Sequence, residues 1–301
     1  MSQAHASKFI VPVLLSVAGM YDKNPSLWYD TLLKLSGFLC FGVLLLCAVW
    51  EFLSYYLASP MPGHRLQNKK TEPPMYADEA KETLLCMYCV ACFTVWPTVS
   101  MLRGEPTAFK VTLEECVPAM FRGNAAAAYI GKMVLTLLVA DTHTFWKHYF
   151  LHNPTFYVFH KSHHKFHNPS TFACFAIHPV EAVWTFWPIL LICVPHVFFD
   201  GLTGLYLPYH LPFLISFSLL NLYLHCGYRI SVLEWVLPRL FVNTSEWHNK
   251  HHELSVSHFG EMLTLWDHIL GTHTGHWSKK KYESQMKKVV MGQSGMDEQM
   301  H

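Results

Sequence analysis

The chain has 301 residues, of which 51% are hydrophobic and only 14% charged, against roughly 25% charged in an ordinary soluble domain. A net charge of +1 gives no electrostatic case for a nucleic-acid partner. Nine cysteines, most of them inside apolar runs, do not read as a disulfide framework.

In chain order, Phe9 to Gly19 is apolar but too short to span a membrane and reads as an interfacial helix; its small-residue end also fits a cleaved signal segment. Leu33 to Ala58 is long enough to span, since about 20 residues of helix cross a hydrocarbon core. Thr83 to Leu102 is a second span, interrupted by Pro97, and its Cys86, Cys89 and Cys92 read as core packing rather than as a metal site, because no paired motif occurs elsewhere. Ala125 to Ala140 is a third span, expected to continue as helix into the histidines that follow. Val183 to Phe199 and Leu205 to His225 form an apolar pair around the turn Asp200-Gly201-Leu202-Thr203-Gly204, either transmembrane or re-entrant. The fold expected is all-α: a multi-pass membrane helical bundle with a cytosolic histidine-lined cap for two metals. It divides into an N-terminal anchoring region with two spans (1–123), a catalytic region containing the apolar pair (124–276) and a polar tail (277–301). Basic residues in the loop from Ser59 to Glu82 and after the apolar pair place both in the cytosol, where the sequon Asn243-Thr244-Ser245 would go unused.

The 21 histidines are clustered, eight of them between His143 and His178 and seven between His248 and His276. His148 and His152 are four apart and share a helix face. Asp141, seven residues before His148, shares that face and suits a carboxylate that accepts the second ring N–H of a ligand histidine. His160, His163 and His164 stand at i, i+3 and i+4, and His248, His251 and His252 repeat the arrangement. Eight imidazoles exceed the coordination number of one metal, so two metals are implied, and imidazole alone leaves iron, copper, nickel and zinc open. His178, with Glu246, is a further candidate for holding a ligand through a hydrogen bond; His143 reads as peripheral.

HYFLH, HKSHH and HNKHH in this order, with Asp141 upstream and FGEMLTLWDHILGTH (Phe259 to His273) downstream, resemble the fatty acid hydroxylase/sterol desaturase superfamily. The resemblance covers Asp141 to His273, and the stretch from His160 to Pro179 is similar to sterol C-5 desaturases. It implies two non-haem iron ions held by the eight box histidines, dioxygen as cosubstrate, and C–H hydroxylation or desaturation of a membrane lipid in the endoplasmic reticulum. It also implies electrons from a separate cytochrome b-type donor with its reductase. His225 matches a further family ligand, whereas Arg229 stands where some members carry another histidine. A sterol is the preferred substrate on this resemblance, with fatty-acyl, sphingolipid and alkylglycerol chains as the alternatives. Outside the oxidase class, a metal-ion transporter predicts ionisable residues within the spans. An inactive lipid-sensing homologue predicts lost box histidines, but all eight are present.

Overall fold

A computed structural model describes residues 3–67, 73–193 and 204–273. Ten α-helices are present among them: α1 Gln3–Val17, α2 Pro25–Leu57, α3 Tyr76–Leu102, α4 Ala125–Leu151, α5 Tyr157–His164, α6 Pro179–Phe186, α7 Leu207–His225, α8 Ser231–Val236, α9 Ser245–Leu254 and α10 Leu265–Leu270. The described strand content is one two-residue pair, β1 Phe109–Lys110 parallel to β2 Leu205–Tyr206. Four segments are long and apolar enough to cross a membrane: Pro25–Leu57, Tyr76–Leu102, Met120–Leu151 and Leu207–His225. In the first, only 11% of the most apolar window is buried inside the protein. A helix that is apolar all round and uncovered by protein belongs in lipid, so this is a multi-pass, all-α membrane protein.

The first two spans start earlier than the apolar pattern alone indicates, because their first turns are built by polar chemistry. Asn24 Oδ1 accepts the Leu27 N–H at 3.2 Å, and Pro25, which has no N–H to satisfy, opens α2. Asp78 and Glu79 occupy the first turn of α3, where carboxylates favour the positive end of the helix dipole. Pro97 does not interrupt α3, which runs through it. The segment from Val183 to Phe199 is not one helical limb in its described part. α6 ends at Phe186 and a 3-10 segment, Trp187–Cys193, follows, because Pro188 has no N–H to extend an α-helical ladder. Residues 200–203 of the expected turn and the tail beyond His273 lie outside the described residues.

The chain forms two compact units. The first comprises Met1–Leu45, Lys81–Ala140 and Ile177–Leu219. In it Ala91, Cys92, Val95 and Val99 of α3 pack against Trp28 and Leu32 of α2. Cys86 and Cys89 are also buried, in keeping with their reading as small apolar side chains. Lys132 of α4 donates to the carbonyls of Cys116, at 3.1 Å, and Gly204. Backbone acceptors thus satisfy an ammonium that lipid could not.

The second unit comprises Leu46–Ala80, Asp141–Ala176 and Leu220–His301. One apolar cluster joins Ala58, Tyr223, Cys226, Tyr228 and Ile230, with Leu233 and Leu237 packed against it. Beside Tyr228 sits a buried ionic node around Arg65. Its guanidinium reaches Glu51 at 3.1 Å, the Asn168 side chain at 3.4 Å and the Pro169 carbonyl, and lies 4.6 Å from the Tyr228 ring centre. Glu51 also accepts the N–H and hydroxyl of Thr171, each at 3.1 Å, so Arg65 and Glu51 together clamp the stretch from Asn168 to Thr171 that follows α5. Gly227 is required here: its φ is +68°, and a Cβ would stand 2.2 Å from Arg65 Nη2. Asn243 of the sequon is fully buried and donates to the Gly260 carbonyl at 2.6 Å, which closes it to modification in the folded protein.

Candidate metal centre

The eight box histidines and His225 all lie in the second unit, on or just after four helices. The end of α4 carries His148, and the turn after it His152, whose N–H still reaches the His148 carbonyl at 3.2 Å. α5 carries His160, His163 and His164, α9 carries His248, His251 and His252, and α7 ends on His225. α9 starts on Thr244, whose hydroxyl accepts the Trp247 N–H at 3.3 Å, and ends on Ser255 in the left-handed conformation. Thr244→Ala is therefore expected to destabilise the protein by about 1 kcal/mol, read as a melting point lower by a few degrees.

The nine rings form two groups. His148, His152, His160, His164 and His251 make the first, and His163, His225, His248 and His252 the second; within each, one nitrogen per ring lies within 4.8 Å of all the others. The H-x-x-H-H spacing explains the division. Successive residues turn by about 100° around a helix, so the i and i+4 rings project together while the i+3 ring diverges. On α5 the i, i+4 pair (His160, His164) enters the first group and His163 the second. On α9 the pair (His248, His252) enters the second group and His251 the first. Each of these two helices thus serves both groups, in opposite proportion.

Hydrogen bonds fix the ring tautomers. Nδ1 of His148 meets the Phe259 carbonyl at 2.8 Å, that of His251 the Ser257 carbonyl at 2.7 Å, that of His225 the Asn221 carbonyl at 3.0 Å and that of His163 the Ala176 carbonyl at 3.3 Å. A carbonyl only accepts, so these Nδ1 atoms carry the proton and the opposite Nε2 atoms present lone pairs. Those lone pairs face other imidazole nitrogens. Nε2–Nε2 separations are 3.3 Å for His148–His152, 3.1 Å for His160–His164, 3.1 Å for His164–His251, 3.4 Å for His163–His225 and 3.0 Å for His225–His248. At a metal–nitrogen distance of about 2.1 Å, neighbouring ligands stand about 3.0 Å apart around an octahedron and about 3.4 Å apart around a tetrahedron. Both nitrogens of His252 and Nδ1 of His248 are buried with no protein hydrogen-bond partner. Converging lone pairs at ligand spacing, with orphaned nitrogens among them, fit a cation in each group.

Burial, reinforced by repulsion between neighbouring imidazoles, holds His152, His163, His164, His248 and His252 well below the usual histidine range, and burial pushes His251 down to about 3. These six rings are therefore neutral, as metal ligation requires, at physiological pH. In the unfolded chain the same histidines titrate near 6.5, so below that pH the unfolded state binds protons that the folded state refuses. Stability of the metal-free protein is expected to be undiminished above about pH 6.5 and to fall as pH drops toward the folded values, by about 2 kcal/mol at pH 5 for His251 alone. Melting curves across pH 5 to 8 measure this, and a flat profile would contradict neutral burial.

The residues expected to support the ligands behave differently. Asp141 is buried, but its Oδ1 accepts the Leu263 N–H at 2.8 Å. Seven residues share a helix face yet stand about 10 Å apart along the axis, which removes Asp141 from His148. The carboxylate near His148 is Glu261, 3.6 Å from its Nδ1 and paired with Lys147 at 3.0 Å. Glu246 is largely exposed and pairs with Arg229 at 3.3 Å, so neither it nor Arg229 is turned into a histidine group. His178 belongs to the first unit, where its Nδ1 caps α6 by accepting the Val180 N–H at 3.1 Å and its Nε2 lies 3.3 Å from Ser7 Oγ. Ser255, whose hydroxyl lies 3.1 Å from His164 Nδ1, and the backbone carbonyls that hold the other rings carry no signal in the sequence.

Residues 133–272 match the fatty acid hydroxylase family model. A protein named as a probable Delta(7)-sterol 5(6)-desaturase of Neurospora crassa is 23% identical over 277 residues, covering 84% of this chain and 74% of that protein. A Delta(7)-sterol 5(6)-desaturase of Aspergillus fumigatus is 28% identical over 210 residues, covering 68% of this chain and 51% of its own. Lathosterol oxidase of Rattus norvegicus is 27% identical over 169 residues, 55% of this chain and 53% of its own. The chain thus spans about half the length of the last two relatives. No solved structure matches it.

Proposed function

Because residues 133–272 belong to the fatty acid hydroxylase/sterol desaturase superfamily, we propose that the protein is an oxygen-dependent lipid oxidase of the endoplasmic reticulum membrane. It carries one non-haem iron in each histidine group, with His148, His152, His160, His164 and His251 as ligands of one and His163, His225, His248 and His252 of the other. The observation that carries this reading is the pair of buried sets of Nε2 lone pairs aimed at one another. Iron, rather than zinc or copper, and dioxygen as cosubstrate rest on the family and not on ligand type.

Iron supplies the oxygen activation that breaking an unactivated C–H bond requires. The protein supplies position. The carbonyls of Phe259, Ser257, Asn221 and Ala176 hold the Nδ1 protons, so that the Nε2 atoms stay available and aimed. Burial of eight of the nine rings, with His152 half-buried, keeps bulk water from the groups, and Phe259 forms an apolar wall with ring centres 5.1 Å from His152 and 5.7 Å from His251. Placement of one substrate carbon against this centre sets the outcome between hydroxylation and desaturation. The substrate is a membrane lipid, and the names of the relatives favour a sterol. Electrons come from a separate cytochrome b-type protein and its reductase. The histidine groups face the cytosol, a side argued from the basic residues Arg65, Arg229, Arg239 and Lys250 in the segments next to the spans.

The test is lipid profiling of cells expressing the wild-type protein or a His251→Ala variant, with and without oxygen. A sterol gaining a double bond or hydroxyl only with oxygen and the wild-type protein is expected. Unchanged sterol, fatty-acyl, sphingolipid and alkylglycerol profiles would overturn the proposal.

A further inference from the structure

Asp267 is fully buried, and its carboxylate collects four donors. Oδ1 accepts from the Phe259 N–H at 3.0 Å and the Thr272 hydroxyl at 2.5 Å; Oδ2 accepts from the Gly260 N–H at 2.8 Å and the Trp247 indole at 3.4 Å. Gly260 permits this approach, since a Cβ there would stand 2.4 Å from the Leu263 carbonyl oxygen and 3.0 Å from Asp267 Oδ2. Asp267 therefore anchors the far end of the segment from Ser255 to Gly260, while the C-terminus of α9 anchors the near end through the Ser255 N–H to the His251 carbonyl at 2.7 Å.

That one segment holds the outer nitrogen of three of the five rings in the first histidine group. Phe259 O takes His148, Ser257 O takes His251, and Ser255 Oγ takes His164. The corresponding bonds of the second group come from other places, Ala176 O for His163 and Asn221 O for His225. The Trp247 bond that ties Asp267 to α9 is the longest of its four, and α9 keeps its own anchor at Thr244.

We propose that Asp267 is a positioning residue for the first histidine group alone, so that the two metal sites of the reading above can be lost separately. Asp267→Asn keeps the shape but turns an amide N–H₂ toward a backbone or indole N–H, which opposes donor to donor and releases the segment. Loss of a group that orients metal ligands weakens binding by about 10- to 100-fold, enough to leave one site largely empty at a free-iron level that just saturates the wild type.

The test equilibrates purified full-length protein with iron buffered at a free concentration that just fills both wild-type sites, and measures iron per chain, helical content and melting temperature. Wild-type protein should hold two irons and Asp267→Asn about half as much, with helical content unchanged. The double variant Asp267→Asn/His252→Ala should hold none, because each substitution empties a different group. If Asp267→Asn fails to fold, Gly260→Ala keeps the carboxylate in the chain but displaces the same segment, because its Cβ would press on the Leu263 carbonyl and on Asp267 Oδ2, and should show the same halving. Retention of both irons, or loss of both, in the folded single variants would overturn the proposal. Wild-type protein that binds fewer than two irons would instead defeat the two-metal reading on which it rests.

Discussion

Replacing His163 by alanine is expected to lower lipid turnover by at least about 100-fold while leaving membrane insertion intact. His163 is the contribution of α5 to the second group, where its Nε2 lies 3.4 Å from that of His225. Its loss leaves three imidazoles, two of them (His248 and His252) on one short helix. Insertion depends on the four apolar segments, none of which contains residue 163. Turnover assays on membrane fractions, paired with carbonate extraction, separate the two effects. A variant with full turnover would remove His163 from the ligand set.

Arg65→Ala is expected to destabilise the second unit by about 3–5 kcal/mol, because it strands the carboxylate of Glu51 beside Thr171 without its cation. The side chains of Arg65 and Glu51 are 10% and 15% exposed, so solvent compensates little. Arg65→Lys should recover only part of the loss, since one ammonium cannot meet Glu51, Asn168 and the Pro169 carbonyl in the planar geometry of the guanidinium. Thermal unfolding followed by accessibility of the buried cysteines measures both variants. An Arg65→Ala protein as stable as wild type would show that the node is dispensable.

Much of this architecture is readable in the sequence, because two strong periodic signals carry it. Long apolar runs specify spans whatever their neighbours, and H-x-x-H-H spacing puts three rings on one side of a helix. His225 was readable only through its family resemblance, since a lone histidine at the end of an apolar helix has no local signal. What failed to show were contacts made across distance or by backbone. Asp141 and His148 share a helical face, but sharing a face is not adjacency, and the Leu263 N–H takes the carboxylate instead. Glu246, two residues before His248, turns outward to Arg229. The acceptors that orient the rings are main-chain carbonyls, which any residue type could supply. Asp267 has no local signal of its role, because its reach back to Phe259 and Gly260 depends on the fold of the intervening loop.

Anomalous diffraction at the iron edge from crystals of the iron-loaded protein addresses the two-metal site directly. Two peaks are predicted, one among His148, His152, His160, His164 and His251 and the other among His163, His225, His248 and His252. A single peak, or iron bound away from both sets of rings, would contradict it.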